Sequence, residues 1–129
     1  MRLLLDTSVL IDALRLRHRR RELLAELVQT GHTLATTALN IAEVYAGMRP
    51  DEAHRTEALL SVLDCYDLTG TSARRAGFLK QQWAKKGRTL ALADMIVAAI
   101  ALERGCTLMT DNSKDFPMEE LDKFDLPRG

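Results

Sequence analysis

Residues 2–11 read RLLLDTSVLI, and this stretch decides the architecture of the chain. Three consecutive leucines form an apolar run of strand length that ends directly in an acid, Asp6. Apolar residues resume behind two hydroxyl residues, Thr7 and Ser8, a pattern typical of the start of a helix. The stretch therefore predicts a buried strand followed at once by a helix, with Asp6 at the carboxyl end of the strand.

The rest of the chain repeats this alternation of strands and helices. We expect further strands at 33–36, 65–68 and 107–110, and helices at 7–14, 21–30, 37–48, 52–63, 70–86 and 92–104. Gly31 and Gly105 follow two of these helices as stop signals. Strands that alternate with helices imply a parallel sheet with right-handed crossovers. The predicted fold is a three-layer α/β/α domain with a central parallel sheet, and residues 1–129 form a single domain.

Composition narrows the class of protein without assigning a function. With 129 residues, 47% of them hydrophobic, the chain has enough apolar material for one core of modest size. Its 18 basic and 18 acidic residues balance, so net charge gives no argument for a polyanionic partner. No segment approaches the roughly 18 apolar residues that a membrane-spanning helix needs, so we expect a cytoplasmic protein with no membrane contact and reduced cysteines.

Three more acidic sites lie in apolar surroundings. Glu43 and Asp94 each sit within a predicted helix, and residues 111–115 follow the last predicted strand. Taken singly, such acids also suit a helix cap, a solvated helix face, a favourable helix dipole or an Asx turn. Taken together, they predict a crevice at the carboxyl ends of the strands, where mutually repelling carboxylates require a cation or shared protons. Ligands that are all oxygen suit Mg²⁺ or Mn²⁺.

Four segments carry a resemblance to a known family. They are LLDTSVLI at 4–11, NIAEVYAG at 40–47, ADMIVAAIA at 93–101 and LMTDNSKDF at 108–116. In this order and spacing they resemble a PIN domain, and they are most similar to the VapC-type toxins of bacterial and archaeal toxin–antitoxin pairs. The resemblance extends over about residues 2–125.

The resemblance implies a Mg²⁺- or Mn²⁺-dependent endoribonuclease, the toxin of a type II toxin–antitoxin system. Such an enzyme hydrolyses phosphodiester bonds in structured RNA, either tRNA or rRNA. It also implies a homodimer and a cognate VapB-like antitoxin whose helix occupies a groove that these residues do not locate. The alternative is a catalytically silent PIN-like module that binds RNA or protein.

Catalytic residues are carried over by position. Asp6, Glu43 and Asp94 match the three acidic members of the family site. By this resemblance Asp6 and Asp94 hold the principal metal ion, while Glu43 ligates through water or helps to deprotonate the nucleophile. Three hydroxyl residues are expected to support these groups from behind, with Ser8 orienting the Asp6 carboxylate: Thr7, Ser8 and Thr110.

The fourth position is less regular. Asn112 stands where many family members have aspartate, so it offers a carbonyl ligand but one negative charge fewer. Asn112 with Asp115 is expected to orient the attacking water or to complete a second metal site. Asp111 is a further candidate for this place, and the number of ions, one or two, stays open.

A basic segment precedes the second helix. Residues 15–21 read RLRHRRR, with five arginines in seven positions, and either grip RNA phosphates or form a solvated turn. A weaker basic candidate lies on the approach to Asp94: Lys80, Lys85, Lys86 and Arg88.

Overall fold

The computed structural model describes residues 1–127, which form a four-stranded parallel sheet between two layers of helices. The strands are β1 (Arg2–Leu5), β2 (Thr33–Thr37), β3 (Asp64–Tyr66) and β4 (Thr107–Met109). The helices are α1 (Thr7–Leu14), α2 (Arg20–Gln29), α3 (Ala38–Ala46), α4 (Ala53–Ser61), α5 (Gly70–Lys85) and α6 (Leu92–Arg104). Short 3₁₀ turns occupy Pro50–Glu52 and Ser113–Asp115. This architecture confirms the predicted three-layer α/β/α fold.

The order of the strands places a crevice beside Asp6. The sheet runs β3-β2-β1-β4, and all of its described neighbours pair in parallel. The chain therefore fills the sheet in one direction from β1 to β3 and then crosses to the other side of β1 for β4. The boundary between β1 and β4 is a topological switch point, where ligands bind in parallel α/β sheets.

Alternating side chains of the strands serve two separate cores. Leu4, Ala35 and Leu108 pack towards α5 and α6. Leu3 and Leu5 point the other way, into the core beneath α1 and α2. Successive residues of a strand face opposite sides, so an unbroken leucine run is what a strand covered on both faces requires.

The boundaries of several elements differ from those predicted. The bounds predicted for the strand at 65–68 are wrong, because β3 spans Asp64–Tyr66, where it pairs with residues 35–37 of β2. The third helix begins one residue late, since Thr37 caps α3 by accepting a hydrogen bond from the Asn40 amide. None of the helices in residues 1–127 has the length and apolar content needed to cross a bilayer.

Candidate active site

Asp6 lies at the switch point and is almost completely buried. Its amide donates a hydrogen bond of 2.9 Å to the Met109 carbonyl, which ties the ends of β1 and β4 together. Its carboxylate makes no capping hydrogen bond to α1 within the described residues. Instead the two oxygens accept from the Thr110 hydroxyl at 2.8 Å and from the Asn40 side-chain amide at 3.2 Å. Burial raises the pKa of Asp6, and these hydrogen bonds only partly offset that rise.

A relay of polar side chains joins Asp6 to Glu43. The Thr37 hydroxyl donates to the Asn40 side-chain carbonyl at 2.7 Å, which fixes the amide nitrogen of Asn40 towards Asp6. The same nitrogen donates to the Thr7 hydroxyl at 3.0 Å, and Thr7 donates to the Glu43 carboxylate at 2.7 Å. Thr7 therefore supports Glu43, as a hydroxyl behind a carboxylate should. The sequence shows Asn40 one helical turn before Glu43 on the same helix face, but it gave no reason to assign Asn40 a role in the site.

Asp94 lies in the first turn of α6, half-buried among other acids. Burial raises its pKa to about 6, and the negative charges of Asp6, Asp115 and Glu43 contribute in that order. The four acids predicted from separate parts of the sequence therefore act on one another across a single crevice. Burying a carboxylate among carboxylates is unfavourable unless a cation or a proton compensates the charge.

The polar residues of the loop after β4 contact two different parts of the protein, the acidic crevice and Arg20. Asp115 contributes to the field at Asp94, and it is held there because its neighbour Phe116 is fully buried in the core beside α6. Asn112 is exposed, and its amide donates to the Thr110 hydroxyl at 3.0 Å. Asp111 instead pairs with Arg20 at 2.9 Å, so it is committed elsewhere and is not the acid that completes the crevice.

The prediction for Ser8 is wrong. Its hydroxyl accepts a hydrogen bond of 3.2 Å from the Asp111 amide and supports the loop after β4. The carboxylate of Asp6 is oriented by Asn40 and Thr110, which reach it from the neighbouring elements. Thr110 plays the supporting part expected of it.

The donor chemistry of the crevice fits a hard divalent cation. Its polar groups are carboxylate and amide oxygens, and a divalent cation would offset both the burial of Asp94 and the neighbouring negative charges that together raise its pKa. Within residues 1–127, no group of three His, Cys, Asp or Glu side chains is arranged to hold an ion alone. Mg²⁺ commonly binds through one or two carboxylates and keeps several waters, so the residues present suit that ion.

The model of the PIN domain family matches residues 3–122 of the chain. The chain belongs to the PIN-domain family. This PIN domain is 33% identical to Ribonuclease VapC19 of Mycobacterium tuberculosis over 115 residues, 89% of this chain and 92% of that protein. It is 32% identical to Ribonuclease VapC10 of the same organism over 118 residues, 92% of this chain and 88% of that protein. Among solved structures, VapBC2 from Rickettsia felis bound to a promoter DNA fragment gives a TM-score of 0.84 at 22% identity, covering 97% of this chain and 100% of that one.

The basic segment of this PIN domain is not a uniform patch. Arg17, Arg19 and Arg21 are exposed, whereas Arg20 is buried and Arg15 pairs with Glu52 at 3.2 Å. The interpretation of all five arginines as phosphate contacts is therefore wrong for two of them. A guanidinium that is already paired inside the protein is not free to bind a phosphate.

A large apolar groove lies on the face of the PIN domain opposite α5 and α6. It encloses about 600 Å³ and is lined by apolar side chains of α1, α2 and α4, among them Leu24, Val28 and Val62. Val28 and Val62 are 55% and 73% exposed, and they lie together in one groove rather than singly on the surface. Arg21 and Arg55 also line the groove, so its polar margin includes positive charge.

Proposed function

We propose that this protein is a Mg²⁺- or Mn²⁺-dependent endoribonuclease and the toxin of a toxin–antitoxin pair. One observation carries the proposal: Asp6, Glu43, Asp94 and Asp115 come from four separate segments and gather at the switch point of a parallel sheet. Asp6 is buried and Asp94 and Asp115 are half-buried, and mutually repelling carboxylates in such positions have no evident benefit for stability, as expected of a site for a catalytic cation. Membership of the PIN family and the ribonuclease names of its relatives support the same reaction.

Each group has a role that its contacts allow. Asp6 and Asp94 would hold Mg²⁺, which supplies a nucleophilic water at neutral pH and stabilises charge on the leaving oxygen. Glu43, exposed and oriented by Thr7, is placed to accept a proton from the attacking water. Asn112 and Asp115, in the loop after β4, would orient that water.

Cleavage assays with matched variants test the proposal. Purified protein is incubated with total cellular RNA and Mg²⁺ or Mn²⁺, and new RNA ends are mapped. We expect Asp6→Asn and Asp94→Asn each to reduce cleavage by at least about 10²-fold, the loss usual for a residue that acts in the transition state. Asp67→Asn, at an exposed acid outside the crevice, serves as the control and should cleave normally. Normal RNA cleavage by Asp94→Asn would show that Asp94 does not have the proposed catalytic role.

A binding measurement separates the enzyme from a catalytically silent module. Mn²⁺ at a hundredfold excess over its Kd should stabilise the fold by about 2.7 kcal/mol. Thermal unfolding of wild type and Asp94→Ala with increasing Mn²⁺ measures this stabilisation. A shift in wild type that is lost in Asp94→Ala fits the enzyme, whereas equal shifts or none favour the silent module.

The substrate and partners belong to the same proposal. The substrate is structured RNA in the cytoplasm, either tRNA or rRNA, because a bond must be presented to the crevice by the shape of a folded RNA. The partner is a VapB-like antitoxin whose amphipathic helix places apolar residues in the groove of α1, α2 and α4 and acidic residues near Arg21 and Arg55. The active form is a homodimer.

A further inference from the structure

Arg20 is a buried charge that the sequence had placed on the surface. Its side chain is 4% exposed, yet it starts helix α2 directly after a run of exposed basic residues. The guanidinium donates to Asp111 at 2.9 Å, to the Pro127 carbonyl at 2.9 Å and to the His18 carbonyl at 3.2 Å. It therefore connects the start of α2 with the loop after β4 and with the C-terminal segment.

The loop that Arg20 holds also orients Asp6. The Asp111 amide donates to the Ser8 hydroxyl, and the next residue back, Thr110, donates its hydroxyl to the Asp6 carboxylate at 2.8 Å. The amide of Asn112 donates in turn to the Thr110 hydroxyl at 3.0 Å. If Asp111 moved, its neighbours Thr110 and Asn112 would move with it. The position of Asp111 therefore determines the geometry of the hydrogen bond from Thr110 to the Asp6 carboxylate.

Several features of the Arg20 contact are unfavourable for the stability of the fold. Leu16, His18 and Arg19 have φ angles of 54°, 54° and 55°, a left-handed conformation that costs non-glycine residues about 1 kcal/mol or more each. Within residues 1–127 the Nε of Arg20 is buried without a hydrogen-bond partner, a further unfavourable feature. Buried ion pairs contribute little net stability compared with apolar packing. Backbone strain, an unsatisfied donor and a buried charge all oppose stability. Together they indicate that the Arg20–Asp111 contact is retained because it supports the acidic crevice.

We propose that Arg20 is a positioning residue that holds the loop after β4 so that Thr110 orients the Asp6 carboxylate. This inference rests on the proposed function, because Asp6 is a metal ligand only in that function. It removes Arg20 from the RNA-contacting surface and gives it a role in the arrangement of the crevice. Since Arg20 touches neither metal nor RNA, its loss should affect the rate of cleavage and leave RNA affinity unchanged.

Two variants break the pair from opposite sides. Arg20→Met removes the buried charge and keeps an apolar side chain in its place, and Asp111→Asn removes the partner charge near the surface. We expect either to lower the single-turnover cleavage rate by about 10- to 100-fold, the usual loss for partners behind a metal ligand, with an unchanged Kd for RNA. The double variant should be no slower than the worse single one, because both substitutions remove the same contact.

Amide hydrogen exchange followed by NMR provides a readout that needs no activity. The amides of Asp111 and Asn112 should exchange faster in both variants, because their hydrogen bonds to the hydroxyls of Ser8 and Thr110 depend on the position of the loop. Glu52→Gln is the matched control: it breaks the Arg15–Glu52 pair and should change neither the cleavage rate nor these two amides.

The outcomes separate the two proposals. Slower cleavage with faster exchange in Arg20→Met and Asp111→Asn, but not in Glu52→Gln, supports the positioning role. Wild-type rates and wild-type exchange in Arg20→Met would overturn it, as would equal losses in all three variants, which would indicate general destabilisation. If the wild type cleaves no RNA, the proposed function fails. The exchange data then decide on their own whether Arg20 positions the loop.

Discussion

Burial and three neighbouring acids both disfavour the negative charge of Asp94. These effects raise the pKa of Asp94 to about 6, so at neutral pH the carboxylate is ionised at the expense of folding free energy. Several of the other polar groups have firm partners, as Asp6 has in Asn40 and Thr110. Asp94 is therefore the residue whose removal should improve stability while it destroys activity.

The first prediction concerns Asp94→Asn in the absence of divalent ions. The neutral side chain removes the repulsion, and we expect a gain of about 1 kcal/mol at pH 7, well below the full conversion of the pKa shift because Asp94 is partly exposed. The melting temperature should then rise by roughly 3–5 °C in EDTA, as measured by circular dichroism. Saturating Mn²⁺ should reverse the order of the two proteins. A lower melting temperature for Asp94→Asn in EDTA would show that the carboxylate stabilises the metal-free fold.

Helices α1, α2 and α4 leave an apolar groove between them that their own packing does not fill. An amphipathic helix normally buries its apolar stripe, yet α2 exposes Val28, and Val62 immediately after α4 is exposed as well. Apolar side chains that cluster in an exposed groove with a polar margin are a feature of protein–protein interaction sites. Within residues 1–127, none of the four acids of the crevice lines the groove, so partner binding and catalysis can be tested with separate variants.

The second prediction concerns the groove. Val28→Glu and Val62→Glu should each weaken antitoxin binding by at least about 10-fold, because a charge buried against an apolar helix is unfavourable. The affinity for the proposed VapB-like antitoxin is measured by calorimetry, and RNA cleavage by the same proteins should stay normal. Leu68→Glu changes an exposed apolar residue outside the groove and is the control. Unchanged affinity in both valine variants would exclude the groove as the docking site.

Charge in the whole molecule is segregated although its sum is zero. The acids converge at the switch point, and the exposed arginines at 17, 19 and 21 lie near it, since the adjacent Arg20 reaches the loop after β4. The first turn of α5 lies at the far end of α6 from Asp94, because Ser72 donates to Glu103 at 2.7 Å. Arg74 and Arg75 are therefore basic residues distant from the crevice.

The third prediction uses this separation. A triple change of Arg17, Arg19 and Arg21 to Gln should weaken RNA binding and reduce the slope of log K against log salt by up to about 2–3, since each lost phosphate contact removes roughly 0.7–0.9 from it. Filter binding between 50 and 300 mM salt, about the range over which such contacts are screened, measures the slope. The pair Arg74→Gln and Arg75→Gln should leave it unchanged. Equal slopes for all three proteins would show that the basic segment does not contact RNA.

The local spacing of residue types was sufficient to predict many of the helices and strands. The period of apolar residues and the placement of glycine and hydroxyl residues act over a few positions, so α1 and α6 were predicted at their observed limits. The short strand β3 begins one residue earlier and ends two residues earlier than predicted, because its length is set by pairing with β2. The acids at 6, 43 and 94 were identifiable because each interrupts an apolar segment.

The sequence by itself determined which elements form and which residue types are available for chemistry. Only the tertiary structure decided which of them meet. Hydrogen bonds between Thr110 and Asp6, 104 residues apart, or between Arg20 and Asp111, 91 residues apart, depend on the order of strands in the sheet. The same applies to Asn40 in α3, whose hydrogen bond to Asp6 forms only because the fold places the end of β1 beside it. Strand order is set by packing of the whole core, and no local pattern in the chain encodes it.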